Sequence, residues 1–139
     1  MDGRAFLDVA KELVQGATEA HWRAAAGRAY YALMLEGWAA LLRWGFVVPP
    51  REPIHRFVRL RFSYATDPDL NRVGDALDWL GRLRNQADYQ PNTPGPFKNA
   101  LRVSQAIGDA EGSLLRLDQV ETDATRRAVA IAGIRTNLP

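Results

Sequence analysis

Residues 67–91 read DPDLNRVGDALDWLGRLRNQADYQP, and they contain the start, the apolar face and the end of one helix. Asp67 is a capping residue, and Pro68 occupies the first turn, where a proline is tolerated. Pro91 ends the helix, because a proline disfavours helical backbone in the residue before it. Intervals of three and four residues separate the members of one face, which are Leu70, Val73, Leu77, Leu80, Arg84 and Ala87. The segment predicts an amphipathic α-helix with one arginine on its apolar face.

The two helices predicted before this segment differ in how much surface they bury. Residues 2–15 place apolar side chains at helical spacing, and Gly16 is a stop signal. Thr18 then caps a longer helix that continues to Gly45. Apolar residues occupy more than one face of this longer helix, which is typical of a helix packed on several sides. We therefore expect the second helix at the centre of a helical bundle.

The remaining segments complete an all-α protein, a bundle of four to five helices. Residues 53–63 predict a short third helix and residues 97–117 predict a fifth. No segment combines a strand pattern with turn signals. We expect one helical domain over residues 1–118. Residues 119–139 are expected to form a short helix from Thr122 or a loosely held tail.

Composition narrows the class of protein. Among 139 residues, 47% are hydrophobic and none is cysteine, so one domain can bury a core but has no disulfide, thiolate zinc site or cysteine nucleophile. The first residues lack a signal-peptide pattern, and no apolar run approaches the roughly 20 residues that span a membrane. We expect a cytoplasmic protein with no membrane partner. Metal-binding patterns and glycine-rich nucleotide loops are missing from the sequence, so we expect no metal ligand and no cofactor.

The net charge is close to zero, but arginine strongly outnumbers lysine among the basic residues. Eighteen basic and sixteen acidic residues give a net charge of +2, which does not by itself require a nucleic-acid partner. Lys11 and Lys98 are the only lysines, so the other sixteen of the eighteen basic residues are arginines. Arginine presents a planar fork of donors that suits phosphate. An arginine-rich proteome is the alternative explanation for this bias.

Arg28 is a charged residue in an apolar segment. Residues 24–35 read AAAGRAYYALML, with Arg28 as the single charge among twelve residues. A buried arginine has to be paired, because an isolated charge in a low dielectric is costly. Either Arg28 is paired inside the bundle, or its side chain follows the bundle edge and brings the guanidinium to solvent.

Arg84 is a second unexpected charge, since it lies on the apolar face of the fourth helix. Asp88 lies one turn later on the same face, within reach of an ion pair with Arg84. Asn85 adds a neutral hydrogen-bonding group beside it. Tyr89 lies about 140° around an ideal helix from Arg84, so it joins the group only if the helix end unwinds or another subunit supplies it. These residues form either a functional cluster or an arginine–aspartate pair that only pins helices together.

The two arginine segments belong to an ordered set of short motifs. In chain order the motifs are Gly27-Arg28-Ala29-Tyr30-Tyr31-Ala32, Ala39-Ala40-Leu41-Leu42 with Gly45, His55 with Val58 and Phe62, and Arg84-Asn85-Gln86-Ala87-Asp88-Tyr89. In this order and spacing, the chain from about residue 18 to residue 90 resembles the HEPN family, named for higher eukaryotes and prokaryotes nucleotide-binding. Each motif alone is weak, and their combination carries the resemblance.

The resemblance implies a HEPN-like helical bundle that forms a homodimer and brings the arginine motifs of two subunits into one cleft. Many members of the family are metal-independent ribonucleases, often toxins encoded beside a minimal nucleotidyltransferase antitoxin, with roles in defence or growth control. The candidate catalytic residues on this resemblance are Arg84, Asn85, Asp88 and Tyr89. The candidate binding residues, approaching from the second helix, are Arg28 and Tyr31.

One part of the family's motif is missing, because the expected histidine is replaced by Asp88 and Tyr89. RNA cleavage by the ribose 2′-hydroxyl needs a proton acceptor, a proton donor and a cation for the phosphorane charge. Histidine suits both proton roles, since its reference pKa is about 6.5, whereas that of aspartate is about 3.9 and that of tyrosine about 10. We therefore expect weak or no cleavage. The alternatives are an RNA-processing protein and a non-catalytic module that binds nucleotide, RNA or protein.

Two further features receive a structural interpretation. The densest basic run of the chain consists of Arg51, Arg56, Arg59 and Arg61. These arginines could contact RNA phosphates, but a solvated helix face is the simpler explanation. His21 and His55 lie far apart in the sequence, and each is expected to be structural.

Overall fold

The computed structural model describes residues 2–138, and this part of the chain is all-α. Its helices, in chain order, are α1 (Gly3–Val14), α2 (Glu19–Arg43), α3 (Ile54–Ser63), α4 (Pro68–Tyr89), α5 (Leu101–Thr122) and α6 (Ala124–Asn137). A short 3-10 turn, Gly95–Phe97, precedes α5. The predicted all-α class is confirmed, while the six α-helices between residues 2 and 138 exceed the four to five that the sequence predicts.

The start and the buried face of α4 follow the sequence prediction. The Asp67 carboxylate accepts hydrogen bonds from the backbone N–H groups of Asp69 and Leu70, at 2.9 and 3.2 Å. Pro68 is the first helical residue. Arg84 is half-buried, and every other member of the predicted apolar face is buried. The arginine therefore lies at the edge of the core, where its head can reach a cavity.

The α2 helix lies at the centre of the bundle, in contact with α1, α3, α4 and α5. Of its eleven buried residues, seven are alanine or glycine. Small side chains at a contact allow helix axes to approach more closely. The predicted central position of the second helix is confirmed, and the helix brings its Arg28–Tyr31 segment beside both α1 and α4.

The α3 and α4 helices approach each other backbone to backbone. At Gly74 of α4, a Cβ atom would lie 2.6 Å from the backbone nitrogen of Ser63 and 2.8 Å from the carbonyl carbon of Phe62. Only glycine permits so close an approach. This contact holds the two helices side by side, and together they form two walls of the candidate site.

The C-terminal helices differ from their predicted limits. α5 begins at Leu101 rather than residue 97, because residues 95–97 form the 3-10 turn and the Asn99 side chain accepts a hydrogen bond from the Leu101 N–H at 2.9 Å. α5 continues through residue 118 to Thr122. Asp123 separates it from α6 and caps the latter, since its carboxylate accepts from the Arg126 N–H at 3.0 Å.

The α6 helix is held by a few apolar contacts and one ionic clamp. Ala130 and Ile134 are its buried residues. The Arg126 guanidinium lies 2.8 Å from an Asp67 carboxylate oxygen and 2.6 Å from one of Asp69. The sequence left open whether this segment forms a short helix or a loosely held tail. In the structure, fourteen of its residues form the helix α6.

Candidate functional site

A cavity of about 440 Å³ lies where α2, α3 and α4 meet. The side chains in its lining that carry chemistry are Tyr30, His55, Arg56, Arg59, Asp78, Arg82, Arg84 and Asn85. Two candidate residues from the sequence, Arg84 and Asn85, belong to this lining. The cavity is open to solvent, and the candidate residues Tyr31, Asp88 and Tyr89 contact Arg84 at its lining.

Arg84 is held by α2 on one side and by its own helix on the other. Its Nη2 donates a hydrogen bond to the Tyr31 hydroxyl at 2.8 Å, and its guanidinium carbon lies 5.2 Å from the centre of the Tyr31 ring. Its Nε lies 3.0 Å from Oδ2 of Asp88. That N–H is not aligned with the carboxylate, so the contact is an ion pair without a hydrogen bond. The expected contact between Arg84 and Asp88 is present.

Tyr89 joins the Arg84 group without any unwinding of α4. Tyr89 is the last residue of the helix, and its ring centre lies 5.5 Å from the Arg84 guanidinium carbon. The prediction that Tyr89 needs an unwound helix end or a second subunit is therefore wrong. The side chains of Arg84 and Tyr89 are long enough to meet although the two residues lie about 140° apart around the helix. Asn85 contributes a long hydrogen bond, with its Oδ1 3.4 Å from Nη1 of Arg84.

The sequence analysis gives Arg28 as a binding residue that approaches the site from the second helix, but in the structure it does not join Arg84 and Asp88. It is exposed, and its guanidinium carbon lies 5.5 Å from the centre of the Phe6 ring. Between residues 2 and 138, no hydrogen bond or ion pair joins it to either residue. An exposed guanidinium needs no buried partner. Arg28 reaches the group only through Phe6, whose ring lies 6.4 Å from that of Tyr31.

His55 belongs to the cavity, although the sequence assigned it a structural role. Its Nδ1 lies 2.5 Å from the Tyr30 hydroxyl oxygen, and the two rings are stacked with their centres 5.6 Å apart. Gly81 of α4 leaves space for Tyr30, since a Cβ there would lie 3.3 Å from its ring. The centres of the Tyr31 and His55 rings lie 5.9 Å apart in an edge-on arrangement, so the same aromatic cluster contacts both Arg84 and His55.

Partial burial of His55 and near-complete burial of Tyr30 set the protonation of this pair. Burial, and then the positive charge of Arg84, lowers the pKa of His55 below its usual 6.5. Burial also raises the pKa of Tyr30 to about 12. At neutral pH the imidazole is therefore uncharged and the phenol keeps its proton. A neutral imidazole next to a guanidinium can accept or pass on a proton while the cation holds an anion.

The charge of the cavity is positive, and α3 contributes to it. Four arginines and one aspartate line it. Asp78 lies 2.9 Å from Arg82 and 3.9 Å from Arg59, whereas Arg56 is exposed and forms no ion pair within residues 2–138. Of the basic run that the sequence interprets as a solvated helix face, Arg56 and Arg59 line this cavity, whereas Arg61 pairs with Glu52. The sequence contains a signal for this placement: Arg56 and Arg59 are three residues apart, a spacing that puts both on one side of a helix.

Arg23 supports the end of α4, a role that the sequence did not reveal. Its Nη1 donates to the carbonyl oxygens of Gln86 and Ala87 at 2.9 and 3.0 Å, and its Nη2 donates to that of Thr93 at 3.0 Å. Its guanidinium carbon lies 4.5 Å from the centre of the Phe97 ring. One side chain therefore bonds carbonyl groups in the last turn of α4 and ties down the loop after it.

Residues 2–138 contain neither a metal-binding cluster nor a membrane-spanning helix. No group of three or more histidines and carboxylates is placed to hold a metal ion. None of the helices combines the length and the apolar character needed to cross a membrane.

Comparisons with protein-family models, with curated protein sequences and with solved structures gave no significant match to this chain.

Proposed function

We propose that this protein is a HEPN-like RNA-binding protein that holds an RNA phosphate at Arg84. The observation that carries the proposal is the excess of four arginines over one aspartate around a cavity of about 440 Å³. Ligand pockets are usually about 300–1,000 Å³, so the space suits a nucleotide unit. Arginine forks form paired hydrogen bonds with phosphate oxygens.

The aromatic groups favour RNA over a small anion. Tyr30, Tyr31 and His55 form one aromatic cluster beside Arg84, and the Tyr89 ring lies against the Arg84 guanidinium. Aromatic side chains next to cations are typical of surfaces that bind single-stranded nucleic acid, since bases stack on the rings while phosphates contact the charges. The resemblance of residues 18–90 to HEPN domains supports the same assignment.

Metal-independent cleavage of the bound RNA is a second candidate function, favoured by the position of His55 in the Arg84 cavity. If Nδ1–H is donated to Tyr30, the other ring nitrogen has a free lone pair. It can take the proton of a ribose 2′-hydroxyl while that oxygen bonds to phosphorus, and return it to the 5′-oxygen whose bond to phosphorus breaks. Arg84 would stabilise the phosphorane charge. Asn85, Asp88 and Tyr89 would orient Arg84.

The proposal includes a second copy of the chain as a partner. Tyr89 is 69% exposed beside Arg84, so an aromatic surface at the edge of the site is free to be covered by another subunit. A nucleotidyltransferase partner is supported by the family resemblance alone.

The binding proposal is tested by fluorescence anisotropy with a labelled single-stranded RNA. Arg84→Ala should weaken binding by about tenfold or more, since a hydrogen bond to a charged group contributes about 1.5–3 kcal/mol. Arg84→Lys, which keeps the charge but loses the fork, should bind with intermediate affinity. Arg72→Ala is the matched control, because Arg72 is an exposed arginine of α4 with no ion pair in the described chain. Equal affinity of the Arg84 and Arg72 variants would exclude RNA binding at this cavity.

Cleavage is tested on the same RNA after treatment with a chelator. His55→Gln should abolish fragments ending in a 2′,3′-cyclic phosphate, while RNA binding measured by anisotropy should weaken much less than in Arg84→Ala. Circular dichroism checks that each variant is folded. If the wild type gives no fragments at high protein concentration, the protein binds RNA without cleaving it.

A further inference from the structure

A second and larger cavity, of about 790 Å³, lies next to the first. It extends from the loop before α3 along the outer side of that helix. Pro53 and Arg56 line both cavities, so the two cavities adjoin at these residues. The walls of the second cavity include Pro49, Pro50, Arg51, Leu60 and Tyr64.

The second cavity has an aromatic and apolar wall. The Tyr64 side chain is 43% exposed, and its hydroxyl forms no hydrogen bond within residues 2–138. Leu60 and the two prolines lie around the same space. An exposed ring beside apolar side chains is a surface on which a nucleic-acid base can stack, because every base has a flat π face.

The cations of the second cavity are of two kinds. Arg61 is occupied, since its Nη1 lies 2.9 Å from Glu52 and its guanidinium carbon lies 4.1 Å from the centre of the Phe57 ring. Arg51 and Arg56 are exposed and form no ion pair in the part of the chain that the structure describes. Two arginines are therefore free to bind anions, and one of them is shared with the Arg84 cavity.

We propose that one RNA single strand spans both cavities. A phosphate lies at Arg84, the next phosphate lies at Arg56, and the base that follows stacks on Tyr64 in the second cavity. This inference rests on the proposed RNA binding and adds the path of the strand along α3. It requires that the bound strand be longer than the Arg84 cavity can hold. RNA should therefore bind this protein more tightly once it is long enough to reach Tyr64.

The test compares two lengths of RNA on the full chain. Calorimetry with a uridine dinucleotide measures the Arg84 cavity, and anisotropy with a labelled oligouridine of about eight nucleotides measures the longer path. Tyr64→Ala should weaken the longer RNA about tenfold and the dinucleotide less than about twofold, as expected for the loss of one stacked base. Tyr64→Phe keeps the ring and should restore the affinity. Arg51→Ala should weaken only the longer RNA, with Arg72→Ala as its control.

Each outcome separates this inference from the proposal on which it rests. If Arg84→Ala weakens both RNAs while Tyr64→Ala changes neither, the second cavity is not part of the path and RNA binding at Arg84 stands. If Tyr64→Ala weakens both lengths equally, the path is also wrong. If the wild type binds neither RNA, the proposed function itself fails. Displacement of the longer RNA by an equally charged polyglutamate peptide would overturn the nucleic-acid assignment of both cavities.

Discussion

Nδ1 of His55 lies 2.5 Å from the hydroxyl oxygen of Tyr30, and the planes of the two rings differ by only 12°. This hydrogen bond joins α3 to α2 across the base of the cavity. Because Nδ1 is engaged, the ring nitrogen left for a ligand is Nε2. The pair therefore fixes the orientation of the imidazole, and Arg84 nearby opposes its protonation.

The depressed pKa of His55 predicts a loss of stability in mild acid. The folded protein binds a proton at His55 less readily than the unfolded chain does, so this contribution is fully present above the unfolded pKa of about 6.5. It is lost as the pH falls from there through the lower folded pKa. Urea unfolding at several pH values should show this loss in the wild type. His55→Gln should remove this part of the pH dependence, whereas His21→Gln should keep it; a wild-type curve that is flat over this range would contradict the assignment.

Arg23→Ala should loosen the end of α4 and the loop after it. The side chain is 13% exposed and donates to several carbonyl oxygens, so its loss should cost about 2–3 kcal/mol of unfolding free energy. Hydrogen exchange should become faster in residues 86–97 and stay unchanged in α1. Arg23→Lys should be nearly as destabilised, because one ammonium group cannot reach all of these oxygens. If residues 86–97 of the Arg23→Ala variant exchange as slowly as in the wild type, the loop is stable without the Arg23 side chain.

Two glycine substitutions should have opposite effects on stability. Gly74→Ala places a Cβ atom 2.6 Å from the Ser63 nitrogen, so α3 and α4 have to separate, at a cost of about 1–3 kcal/mol. Gly108→Ala, in the interior of α5, meets no atom within 4 Å and should stabilise the protein by about 0.5–1 kcal/mol through the better helix propensity of alanine. Thermal unfolding measures both, and a tolerated Gly74→Ala would mean that the two helices are less closely packed.

Light scattering should give a mass of twice 15.5 kDa for the wild type. Tyr89→Ser removes an aromatic ring that is 69% exposed in one chain, and should shift the protein toward the monomer. Leu115→Ser, which changes a 58% exposed leucine of α5, is the control and should leave the mass unchanged. A wild-type monomer at micromolar concentration would exclude the dimer.

Local signals were sufficient to predict α4 and its one anomalous residue. The Asp67 cap, Pro68 and the spacing from Leu70 to Ala87 all act within a few residues, and Arg84 was visible as the charge on that face. His55 was not predictable as a site residue, because its partner Tyr30 is 25 residues away and the contact depends on how α2 and α3 pack.

Two other differences also come from tertiary structure. The direction of the Arg28 side chain depends on Phe6 in α1, which offers a ring surface at the edge of the bundle. The α6 helix buries only two side chains, Ala130 and Ile134, so its periodic signal is weak. Much of its attachment comes from the ion pairs of Arg126 with α4, and residues distant in sequence supply them.

The clamp of α6 on the start of α4 has a consequence for how the chain folds during synthesis. Asp67 and Arg126 are 59 positions apart, and ribosomes add about 5–20 residues per second. The nascent chain therefore contains Asp67 for about 3–12 seconds before the cation that completes the α4 cap exists. Over that interval Asp67 has its backbone hydrogen bonds but not its counter-charge. Docking of α6 should be a late event in assembly, and the contact should act on the unfolding rate more than on the folding rate.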